Sequence, residues 1–598
     1  MQMRSITANP SQVMVEQLAA LDVKYLFYNT GSREARFFDA LHDHPDIHGI
    51  LALHEGSVAA QAGGYTQANL EPAVMVVHLA AGLAQCLGQL INIWSGGLPV
   101  VVISFAGDTG SFADRIELDL SHSFGPTSIA APFTKQNWTV IDPEGLPQAI
   151  HRALLVAKTP PVGPVHLAVY DRALGHEQIT ANIIESSIPD LHAGYPSDSD
   201  VEKIESALHD AKSPLFYIGD GVWKSGAEDH IIAVAEHFGV PCVSSYVPVG
   251  TWERSIATKH PLNCGRLDQV VDVLQPDLIV CIGIHHRGVG RSGDFDVFSK
   301  ARQVIAIGSD IEHIKNIPHL STAILADERR TFERLIELAS SHSTPNRFDE
   351  RRAWVMEQAA ALHVQRINEV WKTETRPNEI RPWIVAETLD TALERRGGGL
   401  VMLEQYAVPW DTVGGYTLSS DTVDATDTGR NRYIRAAGGS EGYGVGGAIG
   451  LKLAAPEKPV VGLVGDGSLL YAESGLWTAA HHSIPVLYII PNNQSYGAVA
   501  SSFASVDGVM KETGEYAGVV LDGIDPVKLA EGVGVEGLHV QAEPRLAAAI
   551  EHGLNVVESE NRPFLLNIRL PLGLPEGGRP AAQFRLADTM SKTQNRAD

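Results

Sequence analysis

The sequence predicts an α/β protein of three doubly wound parallel-sheet domains, and three observations carry that expectation. The chain has 598 residues, too many for one hydrophobic core at roughly 100–200 residues per domain. Apolar runs such as Val74–Val77, Pro99–Phe105, Leu278–Ile282 and Val461–Val464 alternate with Ala-rich helical stretches. Unbroken runs of this kind suit parallel strands covered on both faces. Two polar breaks, His192–Asp200 (HAGYPSDSD) and Ser340–Arg347 (SSHSTPNR), gather turn-forming residues and divide the chain.

The expected units are residues 1–190, 200–340 and 376–574. Phe348–Lys372, with Trp354, Ala359, Leu362, Ile367 and Trp371 at helical spacing, reads as a helix leading to the third unit. From Gly573 the apolar pattern is lost, and residues 575–598 read as a tail or lid.

Hydrophobic residues make up 44% and charged residues 20% of the chain, the balance of a folded protein rather than a disordered one. With 46 Lys and Arg against 71 Asp and Glu, the net charge is −25, so there is no basic surface in bulk to hold nucleic acid. An anionic ligand has to be held locally, by backbone N–H groups, a metal or a few placed cations. Cys86, Cys242, Cys264 and Cys281 are too scattered for a disulfide framework or a zinc site. The opening MQMRSITANPSQ lacks the apolar stretch of a signal peptide. No apolar run approaches the ~18 residues that span a bilayer, so a cytoplasmic enzyme with no membrane partner is expected.

The segment Val461–Val499 (VGLVGDGSLLYAESGLWTAAHHSIPVLYIIPNNQSYGAV) carries the chemistry. It reads as strand Val461–Val464, the turn Gly465-Asp466-Gly467, helix Leu469–Ala480, strand Val486–Ile490, then Asn492-Asn493. A right-handed crossover sets the two strand ends side by side, where ligands of open α/β sheets bind. Asp466 and Asn493 then offer carboxylate and amide oxygens to one hard cation such as Mg²⁺. Gly465 and Gly467 let backbone approach a phosphate at a helix start. A second Gly-Asp-Gly, at residues 219–221, is followed at the same interval by Tyr246-Val247, which offer no amide ligands.

In its detail (GDGS…LWTAA…IP…NN…YGA) this segment resembles the diphosphate-and-metal motif of thiamine-diphosphate enzymes, and is most similar to that of the benzoylformate decarboxylases within the acetolactate synthase and 2-oxo acid decarboxylase superfamily. The resemblance runs over nearly the whole chain. It implies a pyrimidine-binding domain, a central nucleotide-fold domain and a diphosphate-binding domain, in that order. It further implies Mg²⁺ on Asp466, Asn493 and the backbone oxygen of Ser495, with Ser468, Tyr496 and Gly497 beside the coenzyme. The glycine-rich stretch Gly438–Gly450 (GGSEGYGVGGAIG) corresponds to the family's stretch next to the coenzyme, bringing Gly439, Ser440, Glu441 and Tyr443 into the expected site.

The other half of such a site is a carboxylate on the coenzyme's pyrimidine, which favours the tautomer that removes the C2 proton. Glu55, in LALHEGSVAAQAGGYTQA, matches the family's glutamate; taken alone, it is a helix-start charge favoured by the dipole. In the family this glutamate and the diphosphate motif of one site come from different subunits, so the resemblance implies a homodimer, commonly doubled to a homotetramer.

On the substrate side, His78 ends a strand and resembles the family's proton-transferring histidine, a role suited to its ordinary pKa of ~6.5. The other reading is a structural histidine. Ser32, in NTGSRE, matches the serine that contacts substrate carboxylate, or else it is a plain turn serine. His285 and His286, in CIGIHHRGVG, lie where the family's second catalytic histidine arises, or in a solvated loop, with Arg287 suited to an anionic group.

Two departures stand out. Relatives wedge the coenzyme's rings with a bulky apolar residue, and that position aligns with Glu441, Tyr443 or Val445 being the alternatives. Val499 and Ala500 stand where some decarboxylases place an acid. The resemblance implies decarboxylation of an aromatic or branched 2-oxo acid to an aldehyde and CO₂ through a C2 ylid and an enamine. The alternative is a carboligase or lyase using the same chemistry, acetolactate-synthase-like or acting on a 2-hydroxyacyl-CoA. Parts of the central unit (THPLNCGR, VIAIGSDIEHIKN) resemble flavin-bearing synthases, but without a convincing flavin-contact pattern, so neither FAD nor another nucleotide is expected there. A coenzyme-binding but inactive regulatory relative is disfavoured by the presence of both Glu55 and His78, and a nicotinamide dehydrogenase by the lack of a well-placed Gly-x-Gly-x-x-Gly.

Overall fold

The computed structural model describes residues 2–106, 125–189, 191–244, 256, 260–284, 298–342, 347–372, 374–409 and 431–582. Within them lie three six-stranded sheets, every neighbouring pair of strands parallel. The N-terminal sheet runs His48–Leu51, Tyr25–Tyr28, Ala73–His78, Val100–Ala106, Val165–Tyr170, Gln136–Val140. The central sheet runs Asn263–Arg266, Cys242–Ser244, Pro214–Ile218, Leu278–Ile282, Gln303–Gly308, Thr322–Leu325. The C-terminal sheet runs Arg432–Arg435, Leu400–Glu404, Val460–Val464, Leu487–Asn492, Phe564–Arg569, Glu536–Val540.

The unbroken apolar runs are explained by burial on both faces. In Ala73–His78, Val74 and Val76 enter the core on one side of the sheet, while Ala73, Met75 and Val77 enter the core on the other. In Val460–Val464, Val461 and Leu463 face one core, Val460 and Val464 the second. That second core is common to the N-terminal and C-terminal domains. Helix Glu55–Asn69 there lies against helix Gly444–Ala454, and the approach is close enough to demand glycine. A Cβ on Gly64 would come 2.1 Å from the carbonyl oxygen of Gly447, and one on Gly450 would come 2.1 Å from that of Gln61. Gly446 and Gly450 of the glycine-rich stretch therefore serve domain packing.

Helix Asp349–Trp371 buries Val355, Ala359 and Leu362 in the central core and leaves Trp354 and Met356 exposed. The helix expected over Leu469–Ala480 is instead two, Asp466–Leu469 and Ser474–His481. The turn between them brings Ser474 Oγ to 3.4 Å from Ser57 Oγ of the N-terminal domain. Of the segment expected as a tail or lid, residues 575–582 are described, and there Arg579–Pro580 pairs with Glu515–Tyr516, while residues 583–598 lie outside the described residues. Among the described residues no helix is long and apolar enough to cross a membrane.

Candidate active site

In the C-terminal sheet, Leu400–Glu404 is the first strand in sequence. The second, Arg432–Arg435, lies on one side of it and the third, Val460–Val464, on the other. Strand order reverses at that point, and the carboxyl ends of the flanking strands open a crevice there. A cavity of about 440 Å³ occupies it. Its walls are the segments that follow four strands: Gln405–Ala407, Gly465–Ser468, Asn493–Ser501 and Leu570–Leu574 contribute, with Glu441 closing one side.

Nine of the expected site residues meet in this wall: Glu441, Gly465, Asp466, Gly467, Ser468, Asn493, Ser495, Tyr496 and Gly497. Gly465 continues its strand by donating its N–H to the carbonyl of Glu404 at 2.9 Å. Asp466 opens the short helix and is almost wholly buried. Burial pushes its carboxyl up to about 6, against the pull of the Gly467 and Gln494 N–H groups. Gln494 adopts φ +53°, turning Asn493 and Ser495 inward, and Asn493 Oδ1 accepts the Ser495 N–H at 3.2 Å. Tyr496 is raised above the ordinary tyrosine pKa by burial first, then by its hydrogen bond to Tyr471 and the charges of Asp466 and Glu441.

These residues suit a hard cation and a diphosphate. The donors are carboxylate, amide and hydroxyl or carbonyl oxygens, with no thiolate or imidazole among the described lining. Ser495 Oγ is buried without a hydrogen-bond partner among the described residues, and such a group calls for a ligand or water. Gly573 packs so closely that a Cβ would come 2.4 Å from both Asn493 Nδ2 and Ser495 Oγ. The other Gly-Asp-Gly behaves differently. At Gly221 a Cβ would meet the carboxylate of Glu328, a buried acid pushed up to about 8 by desolvation. Tyr246 and Val247 lie outside the described residues.

The remaining members of the glycine-rich stretch stand outside the cavity wall. Asn92 Oδ1 accepts the N–H groups of Gly439 and Ser440 at 3.0 and 2.9 Å, and its amide donates to the Ser440 carbonyl at 2.7 Å. Gln89 Nε2 donates to the Glu441 carbonyl at 2.8 Å. Tyr443 is fully buried, its hydroxyl donating to Gln67 Oε1 at 2.8 Å, and Val445 is likewise core. Of the three alternatives for the wedge position, Glu441 is the one that reaches the cavity.

The N-terminal residues gather on their own sheet edge. Ser32, Glu55 and His78 follow or end three adjacent strands, Tyr25–Tyr28, His48–Leu51 and Ala73–His78. Glu55 begins its helix, with its carboxylate against Gly82 of helix Leu79–Ser95. His78 sits at the start of that same helix and bonds through Nδ1 to Glu34. Ser32 is exposed and opens the short 3₁₀ turn that ends at Glu34. A Cβ at Gly31 would collide with the His78 ring, so glycine there makes room for it. None of the described residues lining the cavity comes from the N-terminal domain. His285, His286 and Arg287 lie outside the described residues.

Sequence reasoning missed several working residues. Glu34 is one. Another is Glu404, whose buried carboxylate accepts the Gly442 and Tyr443 N–H groups at 2.8 and 2.9 Å and the Gly444 N–H at 2.7 Å, fixing the loop that carries Glu441. The amide pair Gln89 and Asn92, three apart on helix Leu79–Ser95, was the available signal for that loop's clamp.

Comparison with known proteins follows the same division. Residues 8–123 match the thiamine pyrophosphate enzyme N-terminal TPP binding domain, residues 201–335 its central domain, and residues 413–568 its C-terminal TPP binding domain, together more than half of the chain. Benzoylformate decarboxylase of Pseudomonas aeruginosa is 26% identical over 555 residues, covering 91% of this chain and 95% of the relative. The acetolactate synthase isozyme 3 large subunit of Escherichia coli is 24% identical over 567 residues, covering 93% and 94%. Among solved structures, the 4-hydroxybenzoylformate decarboxylase of Rhodococcus jostii RHA1 shares the fold with a TM-score of 0.74 at 24% identity, covering 95% of this chain and 100% of that one. The benzoylformate decarboxylase of Polynucleobacter necessarius does so with a TM-score of 0.75 at 21% identity, covering 95% and 99%.

Proposed function

Because the chain belongs to the thiamine pyrophosphate enzyme family, with its N-terminal, central and C-terminal domains in order, we propose that it decarboxylates an aromatic or branched 2-oxo acid to an aldehyde and CO₂, using thiamine diphosphate and Mg²⁺. The observation that carries this reading is the convergence of Asp466, Asn493 and Ser495 on one cavity at the strand-order reversal. The benzoylformate decarboxylase relative supplies the substrate class.

Asp466, Asn493 and the Ser495 backbone oxygen would hold the metal, and the backbone around Gly465 and Gly467 the diphosphate. When bound, the coenzyme supplies the carbon nucleophile and the electron sink that the protein lacks. Val499, Leu572 and Leu574 give the cavity apolar walls, and keeping water out strengthens every charge interaction inside. Glu55 sits on a different sheet edge from its own chain's cavity, so in this reading it would complete the cavity of a second copy and hold the pyrimidine end of the coenzyme there. His78, held by Glu34, moves a proton at Nε2, and Ser32 donates its hydroxyl to the substrate carboxylate.

The acetolactate synthase relative favours one alternative outcome, ligation of two acyl units in place of aldehyde release. A panel of 2-oxo acids, alone and in pairs, scored for CO₂ and products with and without thiamine diphosphate and Mg²⁺, tests both. Aldehyde release from an aromatic or branched acid that requires both additions is the expected result. Hydroxyketone formation from paired acids would select the ligase, and turnover indifferent to the coenzyme would overturn the reading. Glu55→Gln is expected to abolish turnover while leaving metal and diphosphate binding intact.

A further inference from the structure

The cavity presents two carboxylates, Glu441 and Asp466, and no Lys, Arg or His among its described lining residues. A metal accounts for Asp466. It does not account for Glu441, which comes from the glycine-rich stretch rather than from the Gly465–Ser468 turn and is held in place by hydrogen bonds. Glu441 Oε2 accepts the Ser468 hydroxyl at 2.7 Å, and its carbonyl oxygen accepts Gln89 Nε2 at 2.8 Å. The next residue, Gly442, has φ +98°, and a Cβ there would come 2.8 Å from Tyr471 Cβ, so only glycine keeps this course. A second fixed carboxylate works against a ligand whose charge is purely negative. It helps only where the ligand brings positive charge to it.

We infer that Glu441 is the counter-ion of the coenzyme's positively charged thiazolium ring, a positioning residue that makes the cavity selective for a cationic ring. The inference rests on the coenzyme assignment proposed above. Ser468 fixes the carboxylate's direction, and Glu404, through the Gly442–Gly444 N–H groups, fixes the loop behind it.

The test is calorimetric binding at saturating Mg²⁺ of two ligands: thiamine diphosphate, and its isostere in which carbon replaces the ring nitrogen and leaves the ring neutral. Glu441→Gln is expected to weaken binding of the cationic coenzyme by about tenfold or more, ~1.4 kcal/mol per tenfold, while changing the neutral isostere by less than about threefold. Glu441→Asp, which keeps the charge, should retain the preference. Ser468→Ala should lower it by less than Gln does, and it reads the same ratio should the Gln variant fail to fold. Equal losses for both ligands, or no loss for either, would overturn the counter-ion role. Failure of the unaltered protein to bind either ligand would instead overturn the coenzyme assignment, and the counter-ion role with it.

Discussion

His78 Nδ1 lies 2.8 Å from Oε1 and 2.9 Å from Oε2 of Glu34, a carboxylate only 1% exposed. A carboxylate accepts hydrogen bonds and does not donate them, so this contact places the ring hydrogen on Nδ1 and leaves Nε2 to exchange a proton. Glu34→Gln keeps the shape but can present an N–H to the ring and stabilise the wrong tautomer. Its kcat on the best 2-oxo acid should fall by about 10²–10³-fold, within the usual range for general acid–base catalysis, with KM little changed. A Gln variant with unaltered kcat would reduce the pair to a structural contact.

Asp466 and Asn493 stand just past the ends of two adjacent strands, and the proposed Mg²⁺ site gives both one task. Asp466→Asn and Asn493→Ala should each raise the Mg²⁺ concentration needed for coenzyme binding by about tenfold or more, equivalent to ~1.4 kcal/mol. Chelation should release coenzyme from the unaltered protein. The measurement is a Mg²⁺ titration followed by calorimetry or thermal shift with thiamine diphosphate, and coenzyme binding unaffected by chelator would remove the metal from the site.

What could be read in advance depended on how local its cause was. Strand Leu278–Ile282 was legible to the residue because both its faces are buried, so a short run rich in β-branched residues continues unbroken between Asp277 and Gly283. Gly465, Asp466, Gly467 and Asn493 were legible because the strand–turn–helix–strand unit carries them within one short stretch, whereas Glu441, Ser468, Ser495, Tyr496 and Gly497 entered through the family resemblance. Glu34 was not legible, since its meaning lies in a histidine 44 positions away. Asn92 was hidden for the same reason, its partners at Gly439 and Ser440 being 347 and 348 positions distant. The resemblance sets the glycine-rich stretch beside the coenzyme, and Gly446 and Gly450 within it also answer to helix Glu55–Asn69, a constraint that appears only when the two domains meet.

That meeting gives a stability prediction. A Cβ at residue 450 would fall 2.1 Å from the Gln61 carbonyl oxygen and 2.4 Å from the Tyr65 nitrogen, both backbone atoms of a buried helix with little room to shift. Gly450→Ala should therefore cost at least the ~1–3 kcal/mol typical of overpacking, lowering the denaturation midpoint. At Gly439 a Cβ meets nothing within 4 Å, so Gly439→Ala should leave the midpoint in place. Equal midpoints for the two variants would mean that the helices are not packed this closely in solution.

The last prediction concerns acid. His166 is buried in strand Val165–Tyr170, with Nε2 2.7 Å from Ser104 Oγ, and desolvation lowers its pKa from 6.5 to about 4. The unfolded chain takes up a proton below about pH 6.5 that the folded protein refuses until about pH 4. The neutral buried ring therefore costs nothing above pH 6.5, and stability is lost as pH falls through that window, by about 3 kcal/mol at its lower end. His166→Gln keeps a hydrogen-bonding partner for Ser104 and does not titrate. Denaturation midpoints measured from pH 7.5 to pH 4.5 should fall less steeply for the Gln variant, the two curves separating below pH 6.5. Parallel curves through that window would show that the acid sensitivity of the fold arises at other groups.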